Sequence, residues 1–146
     1  MKIVVQRVKN ASVKVNGKIT GSIEFGLLLL IGMHETDGKD VADWCISKIP
    51  KLRIFNDKDD KMNLSVKDVG GGILAVSQFT LYGNAKKGTR PSFIEAARPE
   101  VAEPLYDYMI EQLKLKSGCK VESGEFGAMM DVEFTNSGPV TLILER

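Results

Sequence analysis

The Asn16-Gly17 pair constrains this chain more than any other two residues. Asn and Gly both tolerate the positive φ of a two-residue type I′ turn, whose twist matches the strands it joins. Upstream, Ile3, Val5, Val13 and Val15 alternate with polar positions, which predicts one long strand over residues 1–15. Downstream, residues 18–23 return as its partner. A Phe25-Gly26 turn precedes residues 27–33, a continuous apolar run of the kind buried on both faces. Together these runs predict a β-meander.

Beyond a polar loop at 34–39, residues 40–49 read as a helix closed by Pro50, with Val41, Trp44, Cys45 and Ile49 on one face. A short strand is expected at 52–55, then a charged turn at 56–61. Asp57, Asp59 and Asp60 in that turn lack the alternating ligands and final Glu of a calcium loop. Gly70-Gly71-Gly72 before the strand at 73–78 indicates a close backbone approach or a flexible entry. No Gly-Lys-Ser/Thr follows, so this is not a phosphate loop. Residues 80–92 form a long polar loop bearing Lys86, Lys87 and Arg90, with Arg98 beyond it. Pro99 opens a second helix to about Lys116, with Val101, Leu105, Tyr108, Met109 and Leu113 facing the core and Gly118 as its stop. A strand starts at Val121, a loop follows at 123–128, and two runs at 129–134 and 140–144 read as a hairpin turning at Asn136-Ser137-Gly138-Pro139. The expectation is a single α+β domain over 1–146, with a curved antiparallel or mixed sheet and two main helices.

Composition narrows function. The 20 basic and 19 acidic residues nearly cancel, so any nucleic-acid footprint must be local. One histidine, His34, and two cysteines without metal spacing argue against a zinc site. The opening MKIVVQRV lacks the pattern of a signal peptide, and the apolar run at 27–31 is too short to span a bilayer. A cytoplasmic location with no membrane partner is expected.

Two stretches carry candidate chemistry. Ser77-Gln78-Phe79-Thr80-Leu81 lies where a buried strand leaves the sheet. Ser77 and Thr80 are candidate nucleophiles, with only His34 in the whole chain as a histidine base. A strand end can also aim backbone N–H groups at a developing oxyanion. The second stretch, Asn136-Ser137-Gly138-Pro139-Val140-Thr141, places a residue without an N–H where a strand should begin, and presents bare carbonyls at its tip.

Together these two stretches resemble the signature motifs of the D-aminoacyl-tRNA deacylase family, also called D-tyrosyl-tRNA deacylases. The likeness extends along the chain, through the opening MKIVVQRV, Asn16-Gly17, residues 27–33, Thr89-Arg90-Pro91-Ser92-Phe93 and residues 124–130. The resemblance implies a homodimer of β-barrel-like α+β subunits with active sites at the subunit interface. It implies hydrolysis of the ester joining a D-amino acid to the terminal adenosine of tRNA, and of glycine mischarged on tRNA-Ala, as chiral proofreading without a cofactor or metal. It implies that Ser77 and Gln78 support the pocket and that the amides of Phe79 and Thr80 serve the oxyanion. A cis Gly138-Pro139 pair, held by Arg7, would enter the partner's site, and Phe126, Gly127 and Met130 would receive the adenosine. Such a substrate brings its own ribose hydroxyl, so RNA-assisted catalysis suits a chain with one histidine. Covalent catalysis by Thr80, a non-catalytic RNA-end binding module and a Ser/Thr esterase stay open at this level. Lys86, Lys87 and Arg90 are expected against acceptor-end phosphates.

Overall fold

The computed structural model describes residues 1–146. Strand β1 (Lys2–Val15) is the spine of the sheet. Its C-terminal part pairs antiparallel with β2 (Lys18–Ile23) across Asn16 and Gly17, whose φ values of 50° and 75° are those a I′ turn needs. Its N-terminal half pairs antiparallel with β3 (Gly26–Gly32). β2 and β3 therefore share one edge of β1, and the expected meander order is not formed. The reason is length: β1 has 14 residues and β2 only six, so half of that edge is left for β3.

β3 next pairs parallel with β6 (Gly72–Ser77), and β6 parallel with β7 (Val121–Ser123). Parallel neighbours need crossovers. The first contains α1 (Lys39–Lys48), a 3₁₀ turn over Ile49–Lys51, and a small hairpin of β4 (Phe55–Asn56) and β5 (Met62–Leu64). The second contains α2 (Pro99–Lys116). The strand expected at 52–55 shrinks to β4, because the Leu52 amide is committed to Ile49 O in the 3₁₀ turn. Asp57 ties the acidic turn by accepting hydrogen bonds from the amides of Asp59 and Lys61 and from the Asn63 side chain. The glycine run does serve a close approach: a Cβ on Gly26 would lie 2.0 Å from Gly72 O.

Both helices cover one face of the sheet. Ile3, Val5, Leu27, Leu29, Ile31 and Ile73 are buried there against α1 and α2. The inward face of α2 is Ala102, Leu105, Tyr106, Met109, Ile110 and Leu113. Val101 is exposed and Tyr108 only half-buried, so the face is rotated from the one expected. On the other face a smaller cluster of Val8, Ala11, Val13, Ile23, Leu28, Leu74 and Val76 fills the curl of the sheet. The curl brings β2 against β7 so closely that a Cβ on Gly21 would meet Ser123 O at 2.7 Å, and the sheet nearly closes into a barrel.

The C-terminal segment departs most from the sequence expectation. Residues 131–145 are one strand, β8 (Asp131–Glu145), antiparallel to β1 from Lys14↔Asp131 to Lys2↔Glu145. No hairpin forms at 136–139. Between Val8↔Asn136 and Gln6↔Thr141, residues 137–140 stand opposite Arg7 alone and loop out as a bulge. Both flanks find better partners on β1 than on each other, because β1 offers its whole length.

Candidate active site

The bulge is built around Arg7. Its Nε donates to Ser137 O at 3.2 Å, and its Nη1 donates to Ile54 O at 2.7 Å and Asn56 Oδ1 at 3.0 Å. One guanidinium thus fastens the bulge to the strand and to the β4 segment, a task its forked donors suit. Gly138 has φ +117°, and a Cβ there would lie 2.7 Å from Arg7 Nη2. The Gly138-Pro139 bond is cis, and both residues are exposed. Beside them Asn136 Nδ2 donates to Thr141 Oγ1, which in turn donates to Gln6 Oε1. Asn136 Oδ1 is buried without a partner.

Ser77 ends β6, and the chain then tightens into a 3₁₀ turn over Phe79–Tyr82. The Gln78 amide donates to Ile31 O at 2.7 Å, which docks the start of the turn onto β3. The first return bonds are Leu81 N to Gln78 O and Gly83 N to Thr80 O. The amides of Phe79 and Thr80 precede them, as the first donors of any helical turn must. Phe79 and Thr80 are exposed, so these donors lie at an open surface. Gln78 Nε2 donates to Thr80 Oγ1 at 2.5 Å. No base reaches that hydroxyl: the His34 ring is hydrogen-bonded to Thr36 and packs on Tyr82 at 5.4 Å. Ser77 and His34 are likewise not joined, so no serine triad is assembled.

The segment that leaves β7 lies at the same end of the sheet. Gly124 N bonds Ala75 O, and Met130 Sδ would meet a Cβ on Gly124 at 2.6 Å. Met130 is half-buried against the smaller apolar cluster inside the curl of the sheet. Phe126 packs on Tyr106 at 5.8 Å, and Tyr106 in turn donates to Ala75 O. Gly127 is exposed with φ +73°. A groove of about 550 Å³ runs from Phe126 along α2, but Glu103, Asp107, Glu111 and Glu125 face only Lys114 there. Such a wall repels phosphate, whereas the surface by Phe79 and Thr80 is open and carries no acidic side chain.

Ser77, Gln78, Phe79 and Thr80 thus share the exit end of the parallel strands β6 and β7 with the segment carrying Phe126 and Gly127, whereas Met130 packs beside Gly124 and leads into Asp131, level with Lys14. Arg7, Gly138 and Pro139 do not join them. Ser77 is level with Ile31, Ile3 and Leu144, whereas Arg7 is level with Leu27 and Ile73. The Gly138-Pro139 tip is three strands and four residues from Ser77, roughly 20 Å over the sheet surface, and Arg7 on β1 is one strand nearer. The acceptors that fix Arg7, Ile54 O and Asn56 Oδ1, and the Gln6–Thr141 clasp were not legible beforehand. All are nonlocal contacts made by residue types without a spacing signal.

Comparison with known proteins decides the family. A sequence profile described as D-Tyr-tRNA(Tyr) deacylase matches residues 4–145. The chain belongs to the D-Tyr-tRNA(Tyr) deacylase family. Relatives named D-aminoacyl-tRNA deacylase, and so ester hydrolases of aminoacyl-tRNA, include one from Geobacillus sp. (strain WCH70). It is 57% identical over 145 residues, covering 99% of this chain and 95% of that relative. Another, from Halalkalibacterium halodurans, is 55% identical and covers 99% of both. A solved structure named c-Myc DNA Unwinding Element Binding Protein superposes with a TM-score of 0.92 at 40% identity, over 100% of this chain and 99% of that one. A second, a probable eukaryotic D-amino acid tRNA deacylase, has a TM-score of 0.84 at 18% identity, over 98% and 97%, and shares the fold. Deacylase family membership thus rests on nearly the full length of the chain. No helix is long and apolar enough to cross a membrane.

Proposed function

We propose that this chain hydrolyses the ester of D-aminoacyl-tRNA, releasing tRNA and free D-amino acid, at a site completed by a second copy of itself. One observation carries the reading: the Ser77–Thr80 surface is open, and the Gly138-Pro139 bulge is an exposed tip about 20 Å away on the same chain. A site that tells two hands apart needs walls on several sides of the substrate's α-carbon. In one chain those walls are missing at Phe79, and a wall without a site projects at Gly138. A two-fold pairing gives each open surface the other copy's tip.

Support for self-association comes from the sheet face away from the helices. Ile143, Val4 and Leu30 are paired in register across three strands there. Ile143 is 68% exposed, and Val4 and Leu30 are only half-buried, which leaves an apolar stripe that a second copy can cover.

In the completed site the chain's own groups divide the work. The ester carbonyl points at the amides of Phe79 and Thr80, which stabilise the oxyanion as water adds. Gln78 holds Thr80 and lines the wall. The partner's tip carbonyls accept the substrate's ammonium and occupy the space an L side chain would need, whatever its chemistry. Phe126, Gly127 and Met130 receive the terminal adenosine. The ribose hydroxyl next to the ester orients the water, so no side-chain base is required, and glycine esters pass because they carry no side chain. The DNA-binding name of the 40% identical neighbour fits polynucleotide recognition without turnover as the second reading. Ester turnover separates the two.

Complementation tests the proposal. Gln78→Ala damages the open surface, and Gly138→Ala forces a Cβ against Arg7. If each variant alone is inactive, mixed dimers carry one intact site of two. Equal mixing then restores about a quarter of wild-type deacylation, because half the dimers are mixed. Verified mixed dimers with no recovered activity would refute a site shared between chains.

A further inference from the structure

The loop between the 3₁₀ turn and α2 carries an arrangement that hydrolysis does not use. Phe79 and Phe93 are 57% and 38% exposed, yet their rings pack edge-to-face with centroids 5.3 Å apart. Exposed phenylalanines do not usually hold such a geometry, and here the backbone enforces it. Asn84 and Ser92 exchange two backbone hydrogen bonds, of 2.7 and 2.9 Å, which closes residues 84–92 into a hairpin. Asn84 Oδ1 accepts from the Lys86 amide at 3.0 Å, and Gly88 with φ +68° turns the tip. A Cβ on Gly83 would lie 2.8 Å from the Phe93 ring, so the absence of a side chain at Gly83 is what lets that ring lie down beside Phe79. Ala97 N bonds Met33 O, which ties the far end of the loop to the residue just past β3.

Charge on the 84–92 hairpin is of one sign, with Glu95 the single acidic residue between it and α2. Residues 79–94 include Lys86, Lys87 and Arg90 and no Asp or Glu. All three cations are exposed, and none makes a salt bridge. An exposed aromatic platform beside an unpaired basic edge is the combination that holds single-stranded nucleic acid: bases stack on the rings, and phosphates follow the cations. One ring of the pair belongs to Phe79 itself, whose amide is one of the two free donors of the 3₁₀ turn.

We propose that Phe79 and Phe93 form a stacking ledge for the unpaired nucleotides just inward of the esterified adenosine, with Lys86, Lys87 and Arg90 tracking their phosphates. The ledge rests on the deacylase reading for the identity of its RNA, the single-stranded 3′ end of tRNA. It gives the enzyme a grip on the RNA that is blind to the amino acid. Discrimination between hands then falls wholly to the ester pocket.

The test uses an uncharged, fluorescein-labelled single-stranded RNA ending in CCA, titrated with the full-length wild-type protein and with Phe93→Leu. Leucine keeps an apolar side chain but removes the π-face. Base stacking on an aromatic ring is worth enough that Phe93→Leu should weaken binding at least about fivefold. A blunt duplex of the same sequence should bind the two proteins alike. Lys86→Glu with Lys87→Glu should make the salt dependence of log K shallower by about 1.4, at about 0.7 per phosphate contact. Circular dichroism and elution volume verify that each variant keeps its fold and assembly. Equal affinity of wild-type and Phe93→Leu for the single strand would overturn the ledge, as would a Phe93→Leu defect confined to self-association, which would mean that a second copy covers the rings. No ester is present in this titration, so the outcomes separate. A lost ledge with intact D-ester hydrolysis defeats this inference alone, and a working ledge without hydrolysis defeats the deacylase reading alone.

Discussion

Replacing Arg7 with alanine probes the device that holds the bulge. Three acceptors lose a charged donor at once: Ser137 O, Ile54 O and Asn56 Oδ1. They do not count equally. Ile54 is 7% exposed, so its carbonyl is the one water reaches least, and losing its donor costs about 1–3 kcal/mol. Asn56 is exposed and Ser137 half-buried. Water can replace the guanidinium at both, which limits each loss to about 0.5 kcal/mol. The sum is about 3 kcal/mol, corresponding to a melting temperature lower by roughly 10 °C for a chain of this size. Arg7→Lys should recover less than half of that, because one ammonium cannot reach three divergent acceptors. The assays are thermal unfolding and single-turnover deacylation of matched D- and L-aminoacyl-tRNA. The expected result is a loose tip: the D-ester rate falls at least tenfold, and the ratio of D to L rates narrows. Wild-type stability together with an unchanged ratio would show that Arg7 does not position the bulge.

Other outcomes follow from single contacts. Thr80→Ala should keep more than about a tenth of the activity, since its hydroxyl faces Gln78 and no base, whereas an acyl group trapped on Thr80 would restore covalent catalysis. Gly26→Ala should fail to accumulate as folded protein, because its Cβ would sit 2.0 Å from Gly72 O, and solubility on expression reads this directly. Burial pushes the Cys45 thiol up from 9.0 to about 11. The folded pKa is the higher one, so this contribution is complete below pH 9 and is lost as pH rises toward 11. Denaturant unfolding at pH 8, 9.5 and 10.5 should show the decline, and Cys45→Ala should flatten it.

The Asn16-Gly17 turn, the burial of β3 on both faces and the two helices were legible because each depends on neighbours in sequence. The bulge was not. Asn-Ser-Gly-Pro has the chemistry of a tight turn in any setting, and whether it reverses the strand or loops out depends on whether β1 is long enough to pair with both flanks. The α2 face was misjudged for a related reason. Val101 and Tyr108 are as apolar as Ala102 and Tyr106, and only the sheet beneath decides which set turns inward. Ser77 to Thr80 could be picked out as a strand exit. Its distance from Gly138 could not, since that follows from the register of four strands.

The most direct measurement is the release of amino acid from matched D- and L-tyrosyl-tRNA by the purified wild-type protein. Rapid release from the D-ester, with the L-ester lost no faster than in buffer, is the expected result. Equal rates on the two hands, from a sample shown to be folded and active, would contradict a site walled by the Gly138-Pro139 tip.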